Sequence, residues 1–349
     1  MKTIKQLLFS TATALLVVSQ TWASENDGAN EKKKTVTKTY TVSGKNNLLI
    51  DNQFGSVKVV LWSKNEVRVD ISIKADSPSD ERAQKRLDAI SIEDNATGDQ
   101  ISVKTIIEDE GHSGWFKSSS GNNTIQIDYV VSMPKNMPLS VKNRFGNTDI
   151  ATFSAPLTIK QSYGNFTAND LTGNKTDIDV NFGKADIQTM GNGSLDMAYS
   201  TLNLDKGNTI NLINKFGKFK IGDVDKIEGK MSYSNSSTIR TVKNSCTMKL
   251  SFSSGFSIEQ MPASADNVDI TASYSSVSIP TDNNDSSFDV VVSHGGFKYP
   301  SNRTITFTQN DDSKEERGYN PTKKYIGRFG NGNGTKIRVV SSFGDVRLR

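Results

Sequence analysis

Few residues in this chain could do nucleophilic or acid–base chemistry. A thiol nucleophile needs a histidine or another base beside it, and the 349 residues include one cysteine, Cys246, and two histidines, His112 and His294. Cys246 shares its strand parity with Met248 and Leu250, so we predict a buried apolar side chain. A single cysteine also excludes an intramolecular disulfide. We therefore predict that the chain has no catalytic residue and no metal site built from His and Cys.

Two further motifs resemble ligand sites. Residues 330–336 read GNGNGTK, like a phosphate-binding loop, but the Gly-Lys-Ser/Thr ending is missing and a predicted strand follows, which favours a hairpin turn. Calcium-binding β-rolls need a Gly-Gly-x-Gly-x-Asp nonapeptide. Residues 191–196 match it only in part, and they occur once. We predict no cofactor and a solvated outer face for the aspartates that recur near the repeats, namely Asp149, Asp177, Asp179, Asp186 and Asp196.

An aromatic residue followed by Gly or Ser returns along the chain at a nearly constant interval. The interval ranges from 17 residues (Phe182 to Tyr199) to 22 residues (Phe252 to Tyr274). A fixed period of this size is the signature of a solenoid. The regular copies are Phe145-Gly146, Tyr163-Gly164, Phe182-Gly183, Tyr199-Ser200, Phe216-Gly217, Tyr233-Ser234, Phe252-Ser253 and Tyr274-Ser275. The outlying copies are Phe54-Gly55 and Phe343-Gly344, and His294-Gly295 stands where another is due.

Each copy alternates apolar and polar residues with a period of two, as a half-buried strand does. Leu195, Met197 and Tyr199 share one parity, and the phase then slips to Leu202 and Leu204. The slip predicts a corner, where Gly tolerates unusual backbone angles. We predict an all-β fold, a β-solenoid or β-helix-like stack of ~17–19-residue repeats with one short N-terminal helix. A β-sandwich with evenly spaced hairpins is the alternative.

The aromatic residues are expected to stack inside the solenoid on like positions of adjacent coils. The alternation of Phe and Tyr leaves two coil sizes open, of one or two copies each. The rings that we expect to be buried are Phe145, Phe182, Phe216 and Phe252.

The N-terminal helix is predicted just after residue 78. Ser79 can cap it, Asp80 and Glu81 suit the positive end of the helix dipole, and the pattern ends near Ala89. Its inward face is predicted to be Ala83, Leu87 and Ile90.

Residues 1–23 read as a secretion signal, with Lys2 and Lys5 before an apolar stretch at 7–18 and a small-residue site ending at Ala23. The stretch is shorter than the ~20 residues that span a membrane. We therefore expect an exported protein, in the periplasm or at the cell surface, with no integral membrane segment after signal cleavage. Loss of the two lysines lowers the net charge from +4 to +2, which argues against a nucleic-acid partner.

The rest of the chain divides into four predicted parts. They are a disordered tail at 24–35, an irregular β-rich part with the helix at 36–140, the regular repeats at 141–281, and degenerate repeats with a polar loop and closing strands at 282–349.

Two polar stretches that depart from the repeat, 108–123 and 309–324, carry or adjoin the candidate partner contacts. Interfaces are usually anchored by aromatic residues and arginine. The alternative is that both stretches cap solenoid edges. The candidates are Trp115, Phe116, Arg317, Tyr319 and Tyr325.

The segment DYVVSMP at 128–134, then Val141-x-Asn143-x-Phe145-Gly146 and the serial corners, resembles the bacterial putative adhesin family. This family comprises secreted β-solenoids related to auto-transporter adhesin head domains, and this version looks like those of Bacteroidetes. The resemblance covers about residues 36–349. It implies a non-enzymatic cell-envelope scaffold that binds a protein or glycan partner, and it offers no catalytic residues. A periplasmic sensor or regulator and a carbohydrate-active β-helix enzyme are the alternatives.

Overall fold

The computed structural model describes residues 30–108, 124–281, 285–313 and 321–349. Within them the chain forms 23 strands, one α-helix and one 3-10 helix, so the prediction of an all-β chain with one short helix is confirmed. The chain divides into an N-terminal unit that ends at Asp149 and a C-terminal unit that begins at Ile150.

The strands and the helix α1 of the N-terminal unit have the following bounds: β1 Asn30–Thr41, β2 Asn47–Gln53, β3 Val57–Trp62, β4 Glu66–Ser77, α1 Asp80–Asp88, β5 Ile90–Thr97, β6 Gln100–Ile107, β7 Thr124–Pro134 and β8 Leu139–Arg144.

Parallel pairs form the middle of the N-terminal unit. β2 pairs in parallel with both β6 and β8, and β3 pairs in parallel with β7. Antiparallel strands then extend this arrangement, with β5 on β6, β4 on β7 and β1 on β4. The sequence predicts a disordered tail to residue 35, but β1 already begins at Asn30 and pairs with β4 along its whole length. The backbone of residues 30–35 pairs with β4, and this pairing holds the segment in a strand although its side chains are mostly polar.

The helix α1 lies where the sequence places it. The Ser79 side chain accepts a hydrogen bond from the backbone N–H of Arg82, and Ala83 and Leu87 are buried against β1 and β4. The predicted cap and inward face are therefore confirmed.

A carboxylate joins β1 to β5 in the N-terminal unit. The Tyr40 hydroxyl donates to Asp94 Oδ2 at 2.6 Å, and Lys38 Nζ lies 2.8 Å from Asp94 Oδ1. Burial alone would raise the pKa of Asp94, but the hydrogen bonds from Lys38 and Tyr40 and the Lys38 charge outweigh it and hold the pKa below its usual value.

The C-terminal unit takes in most of β9 and everything after it. Its elements are β9 Thr148–Phe153, β10 Leu157–Ser162, β11 Asn165–Leu171, β12 Thr176–Asn181, β13 Lys184–Ala198, β14 Thr201–Lys215, β15 Lys218–Ser232, β16 Ser237–Gln260, β17 Asn267–Ile279, β18 Ser287–Ser293, β19 Phe297–Lys298, β20 Ile305–Asn310, the 3-10 helix Asp311–Ser313, β21 Thr322–Phe329, β22 Lys336–Ser342 and β23 Val346–Leu348.

Consecutive copies of the repeat lie side by side in the C-terminal unit. The strands β13 to β17 pair in parallel, each with the next. Lys184 pairs with Thr201, and Thr201 pairs with Lys218, so the offset between neighbouring strands is one copy of 17 residues. Each Phe corner therefore lies next to a Tyr corner.

The last copy in the sequence is not the last copy in space. β22 pairs in parallel with both β17 and β18, and β23 pairs with both β17 and β19. The copy that carries Phe343 thus lies between the copies of Tyr274 and His294. Beyond β18 the strands β21 and β20 pair antiparallel.

Residues 330–336 do not form the predicted hairpin turn. β21 and β22 pair with opposite edges of β18 rather than with each other, so the segment carries the chain from one side of β18 to the other. Gly330 and Gly332 have φ angles of 57° and 75°, which glycine adopts readily.

The single cysteine belongs to the interior of the C-terminal unit, which side chains at alternate strand positions form. Cys246 is fully buried and lies in register between Ile227 and Val268. Burial raises the pKa of its thiol to about 12, as expected for a structural cysteine. The prediction of a buried, apolar role for Cys246 is confirmed.

Candidate binding surface: an exposed aromatic stripe

The aromatic residue of each copy has a left-handed backbone conformation. Among the described residues, eleven other than glycine have positive φ, between 49° and 63°, and they include every aromatic corner of the repeat and His294. This conformation costs L-residues roughly 1–2 kcal/mol each and is rare for bulky side chains. The sequence pattern predicts the unusual backbone conformation at the Gly or Ser of each corner. In the structure the aromatic residue or histidine directly before that Gly or Ser has the positive φ instead.

The left-handed corner turns the ring to the outside. Leu195 and Met197 are buried, whereas Tyr199, two positions later, is 51% exposed. Phe145, Phe182, Phe216 and Phe252 are 47–50% exposed, so the expectation that these rings are buried is wrong. Strand parity predicts burial only while the backbone stays extended, and the left-handed residue ends that parity.

The glycine after the ring is needed because two backbones approach closely. A methyl group at Gly183 would overlap the carbonyl oxygen of Gly164, and one at Gly217 would overlap that of Ser200. Neither Gly183 nor Gly217 has positive φ.

Four copies carry a buried serine instead, and its hydroxyl satisfies backbone groups at the corner. Ser200 Oγ donates to the carbonyl of Ala198 and accepts from the N–H of Gly183. Ser253 Oγ accepts from the N–H of Ser234, and Ser275 Oγ accepts from that of Ser253. These bonds join successive corners.

The outward rings of the C-terminal unit form one continuous stack, which we call the aromatic stripe. Neighbouring centroids are 4.6–5.2 Å apart and the planes differ by 2–9°. This separation matches the ~4.8 Å spacing of paired strands. In spatial order the stripe is Tyr163, Phe182, Tyr199, Phe216, Tyr233, Phe252, Tyr274, Phe343 and His294. In the N-terminal unit Phe54 and Phe145 stack in the same way, at 5.1 Å.

The stripe offers ring edges rather than ring faces. Each inner ring has a neighbour on both faces, so its exposed half is the outer edge, and every second edge from Tyr163 to Tyr274 ends in a hydroxyl. The stack is roughly 40 Å long, from eight steps of about one strand spacing each. Serines precede five successive rings and make a polar margin: Ser232, Ser251, Ser273, Ser342 and Ser293.

Groups for acid–base or metal chemistry are sparse in the described part of the chain. Among these residues no group of three or more His, Cys, Asp or Glu could hold a metal ion. Burial raises the pKa of Asp179, and the charge of Asp196, its partner in register on the next strand, raises it further. No third His, Cys, Asp or Glu of the described residues lies with this pair in a group that could hold a metal ion.

Of the five predicted contact residues, the structure describes Tyr325 alone. Tyr325 is only 3% exposed and its ring lies 4.7 Å from that of Phe297, so it belongs to the core and not to a contact surface. Burial, followed by a hydrogen bond with Asp312, raises the pKa of Tyr325. Strand β21 turns Tyr325 inward, which a polar flanking sequence does not reveal. Trp115, Phe116, Arg317 and Tyr319 lie outside the described residues.

Among the described residues, no helix has both the length and the apolar character to cross a membrane.

No protein-family model and no curated protein matches the sequence. Solved structures that are similar to the chain include a "putative adhesin" from Bacteroides fragilis (11% identity, TM-score 0.32) and one from Parabacteroides distasonis (9%, TM-score 0.33); each match covers 90% of this chain and 97% of the other. A "putative lipid binding protein" from Parabacteroides distasonis matches at 11% identity and TM-score 0.29, over 90% of this chain and 96% of the other. The first two names agree with the family that the sequence resembles. Because all three TM-scores are below 0.5, these matches support no inference about mechanism or ligand.

Proposed function

We propose that the chain is a β-solenoid that acts as a non-enzymatic, adhesin-like binding scaffold of the cell envelope, and that the aromatic stripe is its contact surface for a protein partner. The observation that carries the proposal is the continuous row of nine half-exposed rings. Single exposed apolar residues are common, but contiguous apolar patches of more than a few hundred Å² are rare on soluble monomers and mark interaction sites.

The size of the stripe suits a protein interface. A Phe or Tyr side chain presents ~150–250 Å², so eight half-exposed Phe and Tyr rings leave roughly 800 Å² for contact. This is about the area that each partner contributes to an interface of standard size. The inner ring faces are already covered, so a flat ligand has no face to stack on within the stripe. A partner with a long apolar groove fits the row of edges better.

The proposal can be tested without disturbing a ring. The double variant Ser232→Glu and Ser251→Glu places two charges beside the stripe, where each residue directly precedes an aromatic corner. Cells that display the chain are assayed for adhesion to a protein-coated surface or to partner cells. We expect the double variant to lose adhesion while it remains folded, because a partner would have to desolvate the two charges. Ser232 and Ser251 pair in register, so repulsion between the two glutamates should also lower the melting temperature by a few degrees.

The control variant adds two charges on two neighbouring strands of the same unit, away from the corners. Gln188→Glu and Asn208→Asp change exposed residues of β13 and β14 that lie six to nine positions beyond a corner, and adhesion should be kept. Equal adhesion of all variants would refute the stripe as the contact surface. Whole-cell protease treatment separates adhesin from periplasmic regulator, because it removes only a surface-exposed chain.

A further inference from the structure

The N-terminal unit has a hollow that neither the repeat nor the stripe explains. Three connections line it: the turn between β1 and β2, the turn between β3 and β4, and the turn between β7 and β8. Its volume is about 580 Å³, within the ~300–1,000 Å³ of small-molecule sites. The apolar part of its lining includes Leu61, Trp62, Pro134 and Met137.

Trp62 is held in place by a hydrogen bond that leaves its ring carbons as the available surface. The indole N–H donates to the backbone oxygen of Glu66 at 2.7 Å, so the one polar atom of the side chain is already used. The side chain remains half-buried. It therefore offers apolar ring surface rather than a hydrogen bond to a ligand. Lys64 Nζ lies over the ring, so a ligand that packs on this face must displace the flexible Lys64 side chain, whose ammonium then lies beside the ligand.

Uncommitted polar groups surround this ring surface. The side chains of Ser63, Asn65 and Asn136 line the hollow and form no hydrogen bond with other protein groups in the described part of the chain. Each amide can donate two hydrogen bonds and accept others. The arrangement combines an aromatic surface with several adaptable donors and acceptors.

The charge at the hollow is positive. Lys135 lines it, and Lys64 Nζ lies 4.8 Å from the centroid of the Trp62 ring. None of the lining side chains is acidic. An anionic ligand would thus meet the Lys135 ammonium in the lining, the Lys64 ammonium over the Trp62 ring, and no carboxylate among the lining residues.

We propose that this hollow binds an acidic oligosaccharide. A sugar ring has an apolar C–H face that packs on an indole and a rim of hydroxyls that exchange hydrogen bonds with Ser and Asn side chains. A carboxylate or sulfate on the sugar pairs with Lys64 or Lys135. A purely apolar ligand would leave the amides of Asn65 and Asn136 without partners, which weakens binding. The inference rests on the N-terminal unit alone and does not depend on the stripe.

The test uses the predicted mature chain, which starts at Ser24 and contains two tryptophans, Trp62 and Trp115. Trp115→Phe leaves Trp62 as the only fluorescent indole. Tetragalacturonate and a hyaluronan tetrasaccharide serve as acidic probes, and maltotetraose serves as the neutral one. We expect the acidic probes alone to shift Trp62 emission in a saturable manner, with an affinity that falls as salt screens the charges.

Two variants separate the contributions, with calorimetry as the readout. Trp62→Ala should weaken binding by about tenfold or more, the equivalent of one lost aromatic contact. Lys64→Met with Lys135→Met should abolish the preference for acidic probes, and because both lysines are exposed this variant is expected to fold even if Trp62→Ala does not. Lys298→Met, at an exposed lysine of the C-terminal unit, is the control and should bind like wild type.

The proposal is overturned if no acidic probe binds at millimolar concentration, if maltotetraose binds as well as tetragalacturonate, or if the double lysine variant keeps the preference. Binding of an acidic peptide with equal strength would also overturn the assignment to a sugar. If the hollow and the stripe are separate sites, the variants at Trp62, Lys64 and Lys135 lose sugar binding and keep adhesion. The serine variants beside the stripe lose adhesion and keep sugar binding.

Discussion

The left-handed corners predict an unusual order of stability at Phe216. Glycine in an extended strand is normally less stable than alanine by roughly 0.5–1 kcal/mol. Phe216 has φ of 54°, where alanine keeps a strain of roughly 1 kcal/mol or more and glycine has none. The strain of roughly 1–2 kcal/mol exceeds the entropy cost of glycine, so we expect Phe216→Gly to be more stable than Phe216→Ala by roughly 0.5–1 kcal/mol.

Both variants should be less stable than wild type. The ring stacks on Tyr199 at 4.7 Å and on Tyr233 at 5.2 Å, and each stacked pair contributes ~0.5–1.5 kcal/mol beyond its buried area. The ring is 47% exposed, so only about half of the ~3–5 kcal/mol for a buried Phe→Ala change applies. Half of the burial cost and the two stacked pairs together give a loss of roughly 2.5–5.5 kcal/mol for Phe216→Ala.

The measurement is urea unfolding of the two variants and wild type, with circular dichroism as the readout. A matched pair at Phe219, which is buried in extended backbone on the same repeat, should show the normal order, with alanine more stable than glycine. An alanine variant at Phe216 that equals or exceeds the glycine variant in stability would refute the left-handed corner.

Three more predictions follow from contacts elsewhere in the chain. The pKa of Asp94 is lowered in the folded state, so its stabilising effect is present above the unfolded value of ~3.9 and is lost as pH falls through the folded value. Asp94→Asn should thus unfold at lower urea than wild type at pH 7 and approach wild type below pH 4; a gap that is constant with pH would contradict this. Cys246 should stay unreactive to a thiol reagent at pH 8 until urea unfolds the chain, because burial raises its pKa to about 12; rapid labelling of the native chain would show that it is accessible. Gly183→Ala should lose ~1–3 kcal/mol because its methyl overlaps a carbonyl oxygen, whereas Gly191→Ala on β13, the strand that begins directly after Gly183, should not, because the nearest neighbour of its methyl would be 3.5 Å away; equal stability of the two variants would argue against close approach at the corner.

The sequence allowed the strands and the helix to be predicted because their patterns are local. Period-two alternation around Leu195 and Met197 marks a strand, and Ser79 with Asp80 marks a helix start, whatever the rest of the chain does. The stacking of the rings on like positions also followed from the period. The direction in which the rings point did not, because a φ angle near 54° at Phe216 leaves no trace in the pattern of residue types.

Long-range order was harder to predict than local structure. Phe343 lies between Tyr274 and His294 in space, which no spacing in the sequence indicates, because any of these copies could occupy the place. Residues 30–35 are polar, yet they form a strand because β4 provides an edge with which they pair. The sequence does not predict a site at Trp62, because the hollow beside it is formed by three turns that are distant in the chain.

The most direct test of the central claim is hydroxyl-radical footprinting of the native chain, read out by mass spectrometry for each aromatic side chain. Phe182, Phe216 and Phe252, which are 47–50% exposed, should be oxidised at rates close to that of Tyr299, which is 41% exposed. Phe166 and Phe219, which are buried, provide the slow internal standards. Oxidation of the stripe rings as slow as that of Phe166 would place them inside the fold and would contradict an outward binding surface.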